Sequence, residues 1–147
     1  MLLEQYLKKI QYTKGDFRPK QDAVAGVFKK GNKVLMMDHV KFNFWTVPIG
    51  KVEPGQTIEQ GLLQEMQEEL NVTPTKYRKI HQFKRTYTRQ GKKVELLAHM
   101  FLIQSWKGTI KNNEPKKHRS IKWMTKDEMA KYRLSDNAKE VLKLRII

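Results

Sequence analysis

"GKVEPGQTIEQGLLQEMQEELNV", residues 50–72, decides how this chain is read. Its second half has the pattern of an amphipathic helix. Ile58, Leu62, Met66 and Leu70 recur at every fourth position, with Leu63 beside them, and make one apolar stripe. Thr57 stands where an N-cap belongs, and Gln60 completes a capping box three residues later. Asn71 is suited to the left-handed conformation that ends many helices, and Val72-Thr73-Pro74 stops further winding. The first half, with Pro54 and Gly55, reads as a loop.

The same helix carries Glu65, Glu68 and Glu69 at i, i+3 and i+4, so the three carboxylates share one face, expected roughly opposite the apolar stripe. Like charges at this spacing repel by a few tenths of a kcal/mol per pair. The chain holds 30 Lys+Arg against 15 Asp+Glu, yet no Lys or Arg lies between Lys51 and Lys76 to offset them. A hard divalent cation would. Mg²⁺ takes oxygen ligands, usually one or two carboxylates completed by water and substrate phosphates. A solvated acidic face is the plain alternative for an isolated E-x-x-E-E; the loop upstream argues against it.

Loop and helix together resemble the signature of the Nudix hydrolases, G-x5-E-x7-R-E-U-x-E-E-x-G-U with U apolar. Gly50 matches the first glycine, and Glu65, Met66, Glu68, Glu69 and Val72 match the core. Three positions depart: Gln56 replaces the family Glu, Gln64 the Arg and Asn71 the Gly. In the family that Arg and Glu brace the loop against the helix; two glutamines can keep the brace as a neutral hydrogen bond. The resemblance implies an α/β (α+β) fold, an α/β/α sandwich with a mixed β-sheet flanked by helices. It also implies hydrolysis of a nucleoside diphosphate linked to another group, with Mg²⁺ or Mn²⁺ stabilising the charge. Carried over residue by residue, it makes Glu65 and Glu69 the main metal ligands. Glu68 becomes a further ligand or the residue that orients the nucleophile, and the Ile49 carbonyl beside Gly50 an additional ligand.

The rest of the chain is consistent with one such domain. Its 147 residues suit a single core, with residues 1–20 as an N-terminal extension carrying a short amphipathic pattern and 21–147 as the domain. "DAVAGVFKKGNKVLMMDHV" reads as two strands joined at Lys30-Gly31-Asn32, and "YRKIHQFKRTYTRQGKKVELLAHMFLIQSW" as two strands turning near Gln90-Gly91. "IKWM" reads as a short strand, and "TKDEMAKY" and "DNAKEVLKLRI" as helices. Absence of cysteine excludes disulfides and thiolate metal sites. No apolar run approaches the ~18 residues of a membrane span, so a soluble cytoplasmic protein is expected. The formal net charge of +15 points to phosphate-bearing partners.

Outside the motif, Glu114 lies in a polar loop, "NNEPKKHRSIKW", where many Nudix members place another acidic ligand or base; the arrangement resembles the MutT-like branch acting on nucleoside triphosphates. That branch recognises a base with an Asn or Asp just before the C-terminal helix, which singles out Asp136 and Asn137; both are equally good helix N-caps. Phe42, Phe44 and Trp45 precede the motif, and Trp45 is the preferred base-stacking candidate. Lys84, Arg85 and Arg89 alternate with Phe83 and Tyr87 in a strand able to meet phosphates or single-stranded RNA, Arg85 being the substrate-binding candidate. Three functions follow: a nucleotide pyrophosphohydrolase, an RNA 5′-end pyrophosphohydrolase or decapping enzyme, and a non-catalytic nucleotide- or RNA-binding module. The family also implies a homodimer as one expectation.

Overall fold

The computed structural model describes residues 18–147; the helical pattern expected near the N-terminus lies outside them. Strand β1 (Lys20–Lys30) turns at Gly31, whose φ of 61° is left-handed, into β2 (Lys33–His39). The aromatic stretch forms two short strands, β3 (Phe44–Thr46) and β4 (Ile49–Lys51), before helix α1 (Ile58–Leu70). A long hairpin follows, β5 (Thr73–Arg89) and β6 (Lys92–Lys107), turning at Gln90-Gly91 as expected. Strand β7 (His118–Thr125), short α2 (Lys126–Met129) and α3 (Asp136–Lys143) complete the chain. β7 is longer than "IKWM" alone indicates, because the polar residues before it pair with β2 as far as His39.

The sheet is mixed. Its order is β3-β2-β1-β6-β5, with β4 added on β1 and β7 on β2. β1 runs parallel to β6 from Lys20 to Phe28 and antiparallel to its other neighbours. It is the central strand and is covered on both faces, which explains why AVAGVF is continuously apolar rather than alternating. Ala23, Ala25 and Val27 face one core with Leu96, Met100, Ala138 and Val141; Val24 and Phe28 face the other with Leu62, Met66 and Leu70. Helices therefore lie on both faces of a mixed sheet, the expected α/β/α sandwich. No helix among the described residues is long and apolar enough to cross a membrane.

Helix α1 begins and ends as its sequence requires. The Thr57 side chain accepts from the Gln60 N–H, and the Gln60 side chain accepts from the Thr57 N–H. Asn71 takes φ 63° and its N–H donates to the Gln67 carbonyl. The helix rests directly on β1. A Cβ on Gly26 would stand 2.7 Å from the Met66 sulfur and 2.9 Å from Ile103 Cδ1, so a larger residue there would require those side chains to shift. Met66, fully buried, fills that contact. Met66→Ala is expected to lower stability by about 2–5 kcal/mol, read as a lower midpoint with unchanged slope in urea unfolding; a loss under about 0.5 kcal/mol would mean the α1–β1 contact is not packed as described.

Candidate active site

The carboxylate helix does not present all three acids to water. Glu69 is fully buried, and its Oε2 has no hydrogen-bond partner. The expectation that the acidic face opposes the apolar stripe fails for this residue. Glu69 is seven positions beyond Leu62 and three beyond Met66, which places it on the flank of the buried side. Glu65 is half-buried beside it, and Glu68 is exposed.

Gly50 explains where Glu65 goes. A Cβ there would lie 2.0 Å from Glu65 Cδ and 2.1 Å from its Oε2, so the carboxylate rests on the glycine backbone. Strand β4 is fixed by pairing with Ala23–Ala25, which holds Ile49 and Gly50 beneath the helix. Loop and helix thus bring together Ile49, Gly50, Glu65 and Glu69.

The loop before β7 closes the site. The Asn113 N–H donates to the Glu69 carbonyl at 3.0 Å, Asn113 Nδ2 donates to the Glu68 carbonyl at 3.0 Å, and the Lys111 N–H donates to the Leu70 carbonyl at 3.1 Å. These bonds satisfy carbonyls that a helix end leaves without partners. They also bring Glu114 to the carboxylates, together with a residue the sequence reading missed. Lys117 Nζ donates to Glu69 Oε1 at 3.2 Å and lies 3.9 Å from Glu114 Oε1. The cation absent from residues 52–75 therefore comes from a loop far along the chain.

Gln56 and Gln64 meet as their pairing requires. Gln56 Nε2 donates to Gln64 Oε1, and Gln64 Nε2 donates to Glu68 Oε1 at 2.8 Å. Gln56 Oε1 accepts from the Glu53 N–H at 2.9 Å. A chain of neutral amides joins the loop to Glu68, replacing a charged brace with a hydrogen-bonded one.

The remaining candidates gather at the start of α3. Trp45 is half-buried and packs against Tyr132, with ring centroids 5.5 Å apart. Its carbonyl accepts from the Ser135 N–H at 3.0 Å, which ties β3 to the helix start. Phe42 and Phe44 lie in the core, clustered with His39. Ser135 is the N-cap, leaving Asp136 and Asn137 in the first turn. Arg85 Nη1 pairs with Asp136 Oδ2 at 2.8 Å, so two candidates bind each other and strap α3 to β5. Asn137 is buried, and both its amide atoms lack a hydrogen-bond partner.

The electrostatics follow from this burial. Desolvation, then Glu69 and Glu68, push the Glu65 carboxyl up to about 8. Desolvation pushes Glu69 up to about 7, with Lys117 pulling the other way. The donor set suits a hard cation: carboxylate oxygens, one of them buried without a partner, over a glycine cradle. Among the described residues no three His, Asp or Glu side chains form a ready-made cage.

The NUDIX domain family matches residues 19–144. A CTP pyrophosphohydrolase of Escherichia coli (strain K12) is 25% identical over 118 residues, covering 78% of this chain and 82% of that protein. A MutT NUDIX hydrolase from Burkholderia pseudomallei superposes with a TM-score of 0.77 at 17% identity, covering 87% of this chain and 99% of its own. The NUDIX domain of Shewanella oneidensis NrtR, solved with ADP ribose, superposes with a TM-score of 0.61 at 15% identity, covering 98% of this chain and 96% of its own.

The raised carboxyl groups fix a pH dependence for the metal-free protein. A carboxyl held above its ordinary 4.5 when folded contributes stability that is full below 4.5 and is lost as the pH rises to about 8. His39 and His118, pushed down to about 4 and about 3, act in the opposite direction below 6.5. In EDTA, stability is therefore expected to fall between pH 6.5 and about 8, a fall that Glu65→Gln flattens and Mg²⁺ offsets. Chemical denaturation across that range checks it, and a rise in stability there would contradict the assigned burial.

Proposed function

The chain belongs to the Nudix family, and from that premise we propose that it is a divalent-metal-dependent pyrophosphohydrolase whose substrate is a nucleotide, most simply a nucleoside triphosphate. The observation that carries this reading is the buried Glu69 with its unpartnered oxygen, beside a Glu65 carboxyl seated on Gly50. Burying a carboxylate with one oxygen unsatisfied is costly unless a ligand completes it. Glu65, Glu69 and the Ile49 carbonyl would hold a Mg²⁺ or Mn²⁺ ion, with Glu68 and Glu114 at its margin. Such an ion, when bound, polarises phosphoryl oxygens and lowers the pKa of a coordinated water.

The chain's own residues do the positioning. Gly50 lets the Glu65 carboxylate reach the strand backbone, and Asn113 pins the Glu114 loop to the end of α1. Glu68, exposed and held by the Gln64 amide, is the residue that would orient a water and accept its proton. Trp45 and Asn137 are the nucleoside contacts: an aromatic face for stacking, and an amide whose donor and acceptor edges both lack protein partners. The curated relative, a CTP pyrophosphohydrolase, supports a nucleotide as substrate.

An RNA 5′ end is the second reading. It is favoured by the net charge of +15 and by exposed Lys76, Arg78 and Lys84 along β5. A non-catalytic nucleotide-binding module is the third. Gln56 and Gln64 are the departures that favour such a role, and the NrtR NUDIX domain, solved with ADP ribose, supports a nucleotide as the ligand.

Purified protein incubated with nucleoside triphosphates and Mg²⁺ or Mn²⁺ is expected to release monophosphate and pyrophosphate, with Glu69→Gln lowering kcat by about 10²–10³-fold. No turnover of any nucleotide with either metal would sink the proposal. Asn137→Ala separates binding from folding. Removing a buried, unpaired amide is expected to leave stability unchanged or raise it by about 1 kcal/mol, while nucleotide KM rises about tenfold. Unchanged KM would remove Asn137 from the nucleoside site.

A further inference from the structure

The loop that carries Glu114 and Lys117 also forms one wall of a recess of about 440 Å³, lined by His39, Val40, Lys41, Lys116 and Lys117. Its walls are held by backbone and side-chain bonds. The Val40 N–H donates to the Lys117 carbonyl at 3.0 Å, the Lys41 N–H donates to His39 Nδ1 at 3.2 Å, and Asn112 Nδ2 donates to the His118 carbonyl at 2.7 Å. The same loop is bonded to the end of α1 through Asn113. The recess and the carboxylate pair therefore belong to one framework, and Lys117 touches both.

The acids around the recess are largely engaged. Asp38 is held by Arg119 Nε at 3.1 Å, and Glu69 and Glu114 meet Lys117. Lys41 and Lys116 are exposed at its rim. Beneath them His39 and His118 are buried with rings 5.5 Å apart. Burial, with a smaller contribution from Lys117, holds both imidazoles neutral at physiological pH, so neither adds a charge to the recess. Lys117 is already paired with Glu69 and Glu114, so the positive charge the recess presents to an anion is that of Lys41 and Lys116 at its rim. The volume exceeds what a single phosphate needs, and Val40, itself exposed, lines it together with the lysines.

We propose that this recess is a subsite for the distal phosphates of a nucleoside polyphosphate, with Lys41 and Lys116 as its anion ligands and Lys117 joining it to the Glu69–Glu114 carboxylates. The proposal rests on the hydrolase reading above and adds the substrate feature it selects: an unesterified phosphate chain extending beyond the carboxylate site. Lys117 is engaged by Glu69 in this structure, so the test uses the other two lysines.

Inorganic tripolyphosphate is titrated calorimetrically into the full chain in EDTA, so that metal affinity plays no part. Binding is expected, and K41A/K116A should weaken it by about tenfold or more, as loss of charged hydrogen bonds requires. K76A/R78A, which removes the same charge from the distant edge strand, should leave it within about twofold. No tripolyphosphate binding by the native protein, or equal losses in the two double variants, overturns the subsite. The nucleotide assay keeps the two claims apart. Hydrolysis with no lysine-dependent tripolyphosphate binding defeats the recess alone; lysine-dependent binding with no hydrolysis of any nucleotide defeats the enzymatic reading and leaves the recess standing.

Discussion

A buried carboxylate is the constraint on which the site depends. Glu69 lies against the apolar core on the flank of α1, with one oxygen held by Lys117 and the other without a partner. A helix that only needed an acidic surface would turn such a residue outward at little cost. The surrounding structure instead holds it in. Gly26 lets α1 settle on β1, Asn113 caps the carbonyls beside Glu69, and β4 is paired so that Gly50 lies under Glu65. Each feature has a structural purpose of its own, yet together they keep two acids close in a poorly solvated place. That arrangement is unfavourable for an empty site and favourable for one that receives a cation.

Charge is arranged in zones. The strongly basic chain gathers Glu65, Glu68 and Glu69 on one helix with Glu114 on the loop beside it, and Lys117 stands at the border between these acids and the lysine recess. A substrate carrying several phosphates would meet a positive wall on one side and a cation-seeking pair of acids on the other. The amide chain from Glu53 through Gln56 and Gln64 to Glu68 has the same logic without charge. It keeps the loop on the helix while contributing no net charge next to the acids.

Much of this was legible in the sequence because the signals are local. Thr57 and Gln60 announce the helix start, Asn71 its end, and the four-residue spacing of Ile58, Leu62, Met66 and Leu70 its buried face. The turns at Gly31 and Gly91 follow from the same short-range chemistry. The Gln56–Gln64 contact was expected from the Nudix resemblance, whose Glu and Arg at these two positions brace the loop against the helix. What the sequence did not reveal depends on contacts between distant segments. Nothing around Lys117 indicates that its ammonium reaches Glu69, and nothing around Arg85 indicates that Asp136 engages it. Glu69 was misplaced for a different reason: its spacing to Glu65 was read as an outward face, while its spacing to Leu62 and Met66 puts it on the buried flank. The capping of α3 by Ser135, rather than by Asp136 or Asn137, shows how a polar run leaves a helix start uncertain by a residue or two.

The central claim is that Glu65 and Glu69 form a divalent-cation site on the backbone of β4. Crystals grown with Mn²⁺ and measured for anomalous scattering test it most directly. The account predicts a peak in bonding contact with Glu69 Oε2, the oxygen that now lacks a partner, and with the Glu65 carboxylate above Gly50, with Lys117 moved away from Glu69. A map with no anomalous density there, and Lys117 still bonded to Glu69 at saturating Mn²⁺, would contradict it.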